Sequence, residues 1–200
     1  MRLVFASNND HKLSEVRQIM PPSVEVLSLR DIGFEAEIDE TGSTLEANSR
    51  IKAETVSDWI SGKRSSLSDI DGVFADDTGL EIDALHGAPG VYTARWAGEP
   101  AANRAKALRE LDGNENRGCQ FRTVITLIRF SADGGKPSVC QVEGVVRGRI
   151  ATAEYGEGGF GYDPLFIPEG YDRTFAELPA SVKNSISHRA RALKELVKLL

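Results

Sequence analysis

Four stretches of this chain bring chemically capable side chains together. In Asp76-Asp77-Thr78-Gly79, two acids follow the apolar run Val73-Phe74-Ala75. Adjacent acids at the carboxyl end of a buried strand are costly unless something positive compensates. A hard cation such as Mg²⁺ compensates with oxygen ligands and keeps several waters. Glu40, in an acidic stretch just before a helix, is a candidate second ligand. A turn with Asp side chains bonded to backbone explains the same residues equally well. Side chains alternate along a strand, so one Asp is expected to face a cleft and the other to turn back to backbone.

The second stretch is Ser7-Asn8-Asn9-Asp10-His11-Lys12, between an apolar strand and a helix. Helix-start N–H groups carry partial positive charge and suit a phosphate. Asn tolerates positive φ, which a tight turn here would use, and Lys12 adds a point charge. A plain strand-to-helix turn with an Asn cap is the alternative. The third stretch is Gly156-Glu157-Gly158-Gly159-Phe160-Gly161-Tyr162-Asp163-Pro164. Its glycines match GxGxxG, but Pro164 follows at once, and the dinucleotide fingerprint must open a helix early in a βαβ unit. A loop whose backbone approaches a ligand fits better, with Phe160 and Tyr162 offering flat faces to a base. A packed turn with core aromatics is the alternative. The fourth stretch, Lys183-Asn184-Ser185-Ile186-Ser187-His188-Arg189, crowds Lys183, His188 and Arg189 around a turn. Arg191, Lys194 and Lys198 read as the solvated face of a terminal helix.

The elements that must position these residues follow from hydrophobic spacing. Leu3 to Ala6 reads as a buried strand. Leu13, Val16, Ile19 and Met20 mark a helix that stops before Pro21-Pro22. Val24 to Leu29 is a second strand, and Thr44 caps a helix running to about Gly62. Residues 101–111 form a helix. Phe121–Phe130 and Val139–Ile150 are long strands joined by a turn at Asp133–Lys136. Residues 156–170 are a Gly/Pro-rich loop, and a helix ends the chain. The pattern implies an α/β or α+β fold with a mixed sheet.

The chain has 200 residues, 24 Lys+Arg, 30 Asp+Glu and a formal charge of −6. That balance argues against coating a nucleic acid polymer, which rests on cationic side chains neutralising phosphates. It leaves room for a small anion in a locally basic pocket. No run approaches the roughly 18 apolar residues of a membrane span. Met1–Ala6 is too short an apolar run for a signal peptide. A cytoplasmic protein without a membrane partner is therefore expected.

Taken together, the motifs resemble the inosine triphosphate pyrophosphatase family, over essentially the whole chain. The most specific pieces are Ala75-Asp76-Asp77-Thr78-Gly79-Leu80, Gly87-Ala88-Pro89-Gly90-Val91-Tyr92 with Ala94-Arg95, Gly159-Phe160-Gly161-Tyr162-Asp163-Pro164, and Ser187-His188-Arg189. The resemblance implies one domain over residues 1–200, with a long mixed twisted sheet, flanking helices and two lobes around a central active-site cleft. It implies a homodimer that uses Mg²⁺ to hydrolyse ITP, dITP and XTP to the monophosphate and pyrophosphate. By the same resemblance Ser7 to Lys12 is the phosphate loop, Asp77 the catalytic acid/base and a metal ligand, and Glu40 the second metal carboxylate. Lys52 reaches the phosphates, Thr78 contacts substrate, and Phe160 to Asp163, Lys183, His188 and Arg189 form the base pocket. Two alternatives are a non-catalytic purine-nucleotide sensor and a pyrophosphatase for other modified or pyrimidine triphosphates.

Overall fold

A computed structural model describes residues 1–63 and 65–200. In chain order the elements are β1 (Arg2–Phe5), α1 (Asp10–Ile19), β2 (Glu25–Leu27), α2 (Leu45–Ser61), β3 (Gly72–Ile82), β4 (Pro89–Gly90), α3 (Pro100–Glu110), β5 (Gly118–Arg129), β6 (Ser138–Ile150), β7 (Phe166–Pro168), α4 (Ala180–Ile186) and α5 (His188–Val197). Among the described residues the strands form one sheet in the order β2-β1-β3-β5-β6-β7, with β4 on β3. β1 pairs in parallel with β2 and β3, whereas β3–β4 and β6–β7 are antiparallel. The mixed sheet with flanking helices is the architecture expected from the sequence.

The chain divides into two compact units. The first holds Met1–Asp77, Val124–Glu143 and Ala192–Leu200; the second holds Thr78–Thr123 and Gly144–Arg191. In the first unit, β1 and β3 are buried on both faces, which explains their continuous apolar runs. Val4, Val73 and Ala75 pack with Val56 and Ile60 of α2. Leu3, Phe5 and Phe74 pack instead with Val16 of α1 and Leu193 and Leu196 of α5. The split is the period-two alternation of a strand. Phe5 and Phe74 are partners in register and stack with ring centroids 5.0 Å apart. On the other side of β3, Gly72 permits the close approach of β5, because a Cβ there would lie 2.5 Å from the Ile128 carbonyl oxygen. Gly72→Ala should therefore destabilise the fold by about 1–3 kcal/mol, read as a lowered denaturation midpoint.

Helix ends follow their sequence signals. The Thr44 hydroxyl accepts from Ala47 N–H at 3.1 Å, and Asn9 Oδ1 accepts from Lys12 N–H at 3.1 Å. Met20 turns extended ahead of Pro21, as a residue before proline prefers. The second unit is built around Leu80, Ile82, Phe121, Val146, Phe166 and Phe175.

Three local expectations change. The acids Asp76 and Asp77 lie inside β3, not at the end of a short strand, since β3 continues to Ile82. The Gly/Pro-rich loop contains β7, where Ile167 pairs with Arg149 of β6. The terminal helical region breaks at Ser187, which is extended, and whose hydroxyl accepts from Ala190 N–H at 3.2 Å to cap α5. No helix among the described residues is long and apolar enough to cross a membrane.

Candidate active site

In the first unit, β3 sends its two acids to opposite sides. Asp76 follows Phe74 toward α1, and its Oδ1 accepts from Lys12 Nζ at 2.9 Å. Asp76 thus meets a cation, where the sequence suggested a return to backbone. Asp77 follows Ala75 toward α2, and its Oδ1 lies 3.2 Å from Lys52 Nζ. The same nitrogen donates to Glu40 Oε1 at 2.5 Å. Of the adjacent acids Asp39 and Glu40, then, Glu40 is the one that reaches Lys52.

Helix α2 explains how these polar groups are tolerated. Its buried face follows helical spacing throughout, but Asn48, Ser49 and Lys52 occupy the first half and Ala53, Val56 and Ile60 the second. Buried polar groups need partners, and each has one. Asn48 Nδ2 donates to Asp77 Oδ2 at 3.3 Å, and its Oδ1 accepts from Gly42 N–H at 2.8 Å. Ser49 Oγ donates to the Ala75 carbonyl at 3.1 Å. A Cβ at Gly42 would come within 2.6 Å of Asn48 Oδ1. Asn48 thereby ties the loop bearing Glu40 to Asp77. It had no motif to announce it; its i, i+4 spacing from Lys52 was the available signal.

The cluster sets two lysines, Lys12 and Lys52, against three carboxylates, Glu40, Asp76 and Asp77. Burial opposes the charge on Lys52, but Asp77, Asp76 and Glu40 outweigh it and hold its pKa above the usual lysine value. Burial, reinforced by Glu40 and opposed by Lys52 and Lys12, pushes the Asp77 carboxyl up. An excess of buried negative charge is what a divalent cation relieves. Among the described residues no three His, Cys, Asp or Glu side chains group around one point. Two convergent carboxylate oxygens nevertheless suit Mg²⁺, which commonly takes one or two carboxylates and completes its shell with phosphates and water. Glu40 and Asp77 therefore fit such an ion.

At the start of α1, Asn8, Asn9, Asp10 and His11 are exposed, while Ser7 and Lys12 are half-buried. Ser7 Oγ accepts from Asn9 N–H at 3.2 Å. Neither Asn8 nor Asn9 uses positive φ; among the described residues only His86 does so without being glycine. Asn9 acts as the helix cap, and the N–H groups of the first turn point beyond the helix end.

In the second unit, the glycine loop closes on Asp163. Asp163 Oδ2 accepts from Phe160 N–H at 2.8 Å and from Lys183 Nζ at 2.6 Å. Lys183 Nζ also lies 4.8 Å from the Phe160 ring centroid. Gly161 has φ 61, and its carbonyl accepts from Arg104 Nη1 at 3.0 Å. Gly159 has φ 71, and a Cβ there would lie 2.2 Å from Asp163 Oδ2. Gly159→Ala should destabilise the protein by about 1–3 kcal/mol by straining the positive φ and displacing Asp163, read as a lowered thermal midpoint.

Phe160 is half-buried, and Arg189 Cζ lies 5.8 Å from its ring centroid. Tyr162 does not offer a flat face to a base. Its ring is 3% exposed within the core, and its hydroxyl donates to the Thr93 carbonyl at 3.2 Å. Burial pushes the phenol pKa up. The second aromatic of the motif is thus a core residue. His188 is buried and stacks on Phe121, with centroids 4.6 Å apart and planes 25° apart. Arg189 is 1% exposed, with Nη2 3.3 Å from Thr78 Oγ1.

These two residue sets lie in a chain that belongs to the Ham1 family, whose model matches residues 3–199. The chain is similar to proteins named dITP/XTP pyrophosphatase. The one from Flavobacterium johnsoniae is 45% identical over 203 residues, spanning 100% of this chain and 98% of that protein. The one from Bacillus subtilis is 45% identical over 203 residues, spanning 98% and 96%. Among solved structures, a HAM1 protein from Coxiella burnetii aligns with TM-score 0.81 at 34% identity, covering 100% of this chain and 98% of that chain. The Staphylococcus aureus Ham1 protein aligns with TM-score 0.79 at 36% identity, covering 100% and 97%. The resemblance carried by the four motifs is borne out.

Proposed function

We propose that this protein hydrolyses non-canonical purine nucleoside triphosphates, ITP, dITP and XTP, to the monophosphate and pyrophosphate, and so clears them from the nucleotide pool. The observation that carries this reading is the convergence of half-buried Glu40 and buried Asp77 on Lys52 Nζ, a carboxylate-rich cluster. A simple binder of polyanions gains nothing from such acids. The names of the similar proteins supply the substrate class.

Ser7, Asn8, Asn9, Asp10 and His11 form the helix start that receives phosphate through backbone N–H groups. Lys12 and Lys52 add positive charge. Glu40 and Asp77 would hold Mg²⁺, which when bound would supply polarisation of the phosphates and stabilisation of the leaving pyrophosphate. Asp77 orients a water and accepts its proton as the water oxygen attacks the α-phosphorus. The bond from that phosphorus to the bridging oxygen breaks, and pyrophosphate departs.

The second set reads the base. Phe160 stacks on it, with Gly161 and Asp163 shaping the loop and Lys183 fixing Asp163. Thr78 contacts substrate. Arg189 and His188 donate toward the 6-keto oxygen of hypoxanthine or xanthine. Adenine carries an amino donor there and leaves those groups unpaired, a mismatch that can discriminate by about 10⁴. The same proposal includes residues 1–200 acting as one catalytic domain, a homodimer, a cytoplasmic location, and no nucleic acid polymer or membrane as partner.

Product analysis tests the bond choice. ITP should yield IMP and pyrophosphate in equal amounts; IDP with inorganic phosphate would contradict it.

A further inference from the structure

Arg189 and His188 must each be held in one orientation if they are to tell a keto oxygen from an amino group. One strand face supplies both supports. Phe121 and Thr123 are two residues apart on β5, so their side chains share a face. The adjacent Gln120 and Arg122 point the other way, where both bond to Glu81. Phe121 stacks under the His188 ring, and is itself held by Phe166 at 4.7 Å between centroids. Thr123 is 0% exposed, and its Oγ1 lies 2.7 Å from Thr78 Oγ1. Thr78 in turn is the hydroxyl that accepts from Arg189 Nη2.

We infer that Phe121 and Thr123 are positioning residues for base discrimination, Phe121 by setting the His188 ring and Thr123 by setting Arg189 through Thr78. The inference rests on the proposed reading of His188 and Arg189 as base donors. A hydroxyl can rotate to serve several partners. Thr78 is left with a defined direction because Thr123 bonds it on one side and Arg189 on the other. Neither support touches substrate; both act on selectivity through the residue in front of them.

The test compares kcat/KM for ITP with that for ATP in five proteins: the parent, Thr123→Val, Thr123→Ser, Phe121→Leu and Arg189→Gln. Thr123→Val keeps the shape and removes the hydroxyl. It should lower the ITP:ATP ratio about fivefold, the size of one neutral hydrogen bond, with thermal midpoint near that of the parent. Thr123→Ser should restore the ratio. Phe121→Leu should lower it independently, and keeps the test open if Thr123→Val does not fold. A merely structural role would scale both substrates alike and leave the ratio unchanged. An unchanged ratio in Thr123→Val and Phe121→Leu, beside a collapsed ratio in Arg189→Gln, overturns the positioning role alone. An unchanged ratio in Arg189→Gln as well overturns the base reading beneath it.

Discussion

Asp77→Asn should lose about 10³ in kcat while still binding ITP. Removing a positioned general base typically removes two to four orders of magnitude. The amide keeps the shape of the carboxylate and can still accept from Asn48 Nδ2, which lies 3.3 Å from the present Oδ2. It cannot take a proton from water, and it is a poorer ligand for a hard cation. Nucleotide affinity without metal should hold or rise, because one negative charge leaves the vicinity of the phosphates. Single-turnover rates and equilibrium binding by calorimetry check the two halves separately. Activity within a few-fold of the parent would remove Asp77 from the chemistry.

Lys52→Met should damage both stability and turnover. Lys52 is the shared partner of Glu40 and Asp77, and removing one member of a buried ionic set typically costs about 3–5 kcal/mol. The pH dependence has a definite sign. Burial already holds the Asp77 carboxyl above its ordinary range, and loss of the lysine would raise it further. An acid whose folded pKa exceeds its unfolded value binds more protons when folded, so its penalty grows with pH and fades as pH falls through the folded pKa. The stability deficit of Lys52→Met should therefore be larger at pH 8 than at pH 5, in metal-free denaturation curves. A deficit independent of pH would mean that Lys52 contributes packing and not charge.

Much of the fold was legible because its signals are local. Thr44 and Asn9 announce their helices, Pro21 stops one, and the apolar runs of β1 and β3 show strands covered on both faces. The candidate residues were also legible as motifs. Their partners were not, because the compensation is tertiary. Asp76-Asp77-Thr78-Gly79 reads as a strand ending, yet β3 runs through it, since Lys12 and Lys52 arrive from two helices to satisfy the acids. Tyr162 and Phe160 look equivalent in sequence, but Tyr162 is buried in the core with its hydroxyl on the Thr93 carbonyl, while Phe160 is half-buried. Thr123 is one more β-branched residue in a β-rich run. Its value depends on Thr78, 45 residues away in the chain.

The central claim is that buried acids do hydrolysis on a nucleotide chosen by its 6-keto group. The most direct measurement is pyrophosphate release from a panel of ITP, dITP, XTP, ATP and CTP with Mg²⁺ present. The account predicts fast turnover of ITP, dITP and XTP and little with ATP or CTP. Equal turnover of ATP and ITP, or no pyrophosphate from any of them, would contradict it.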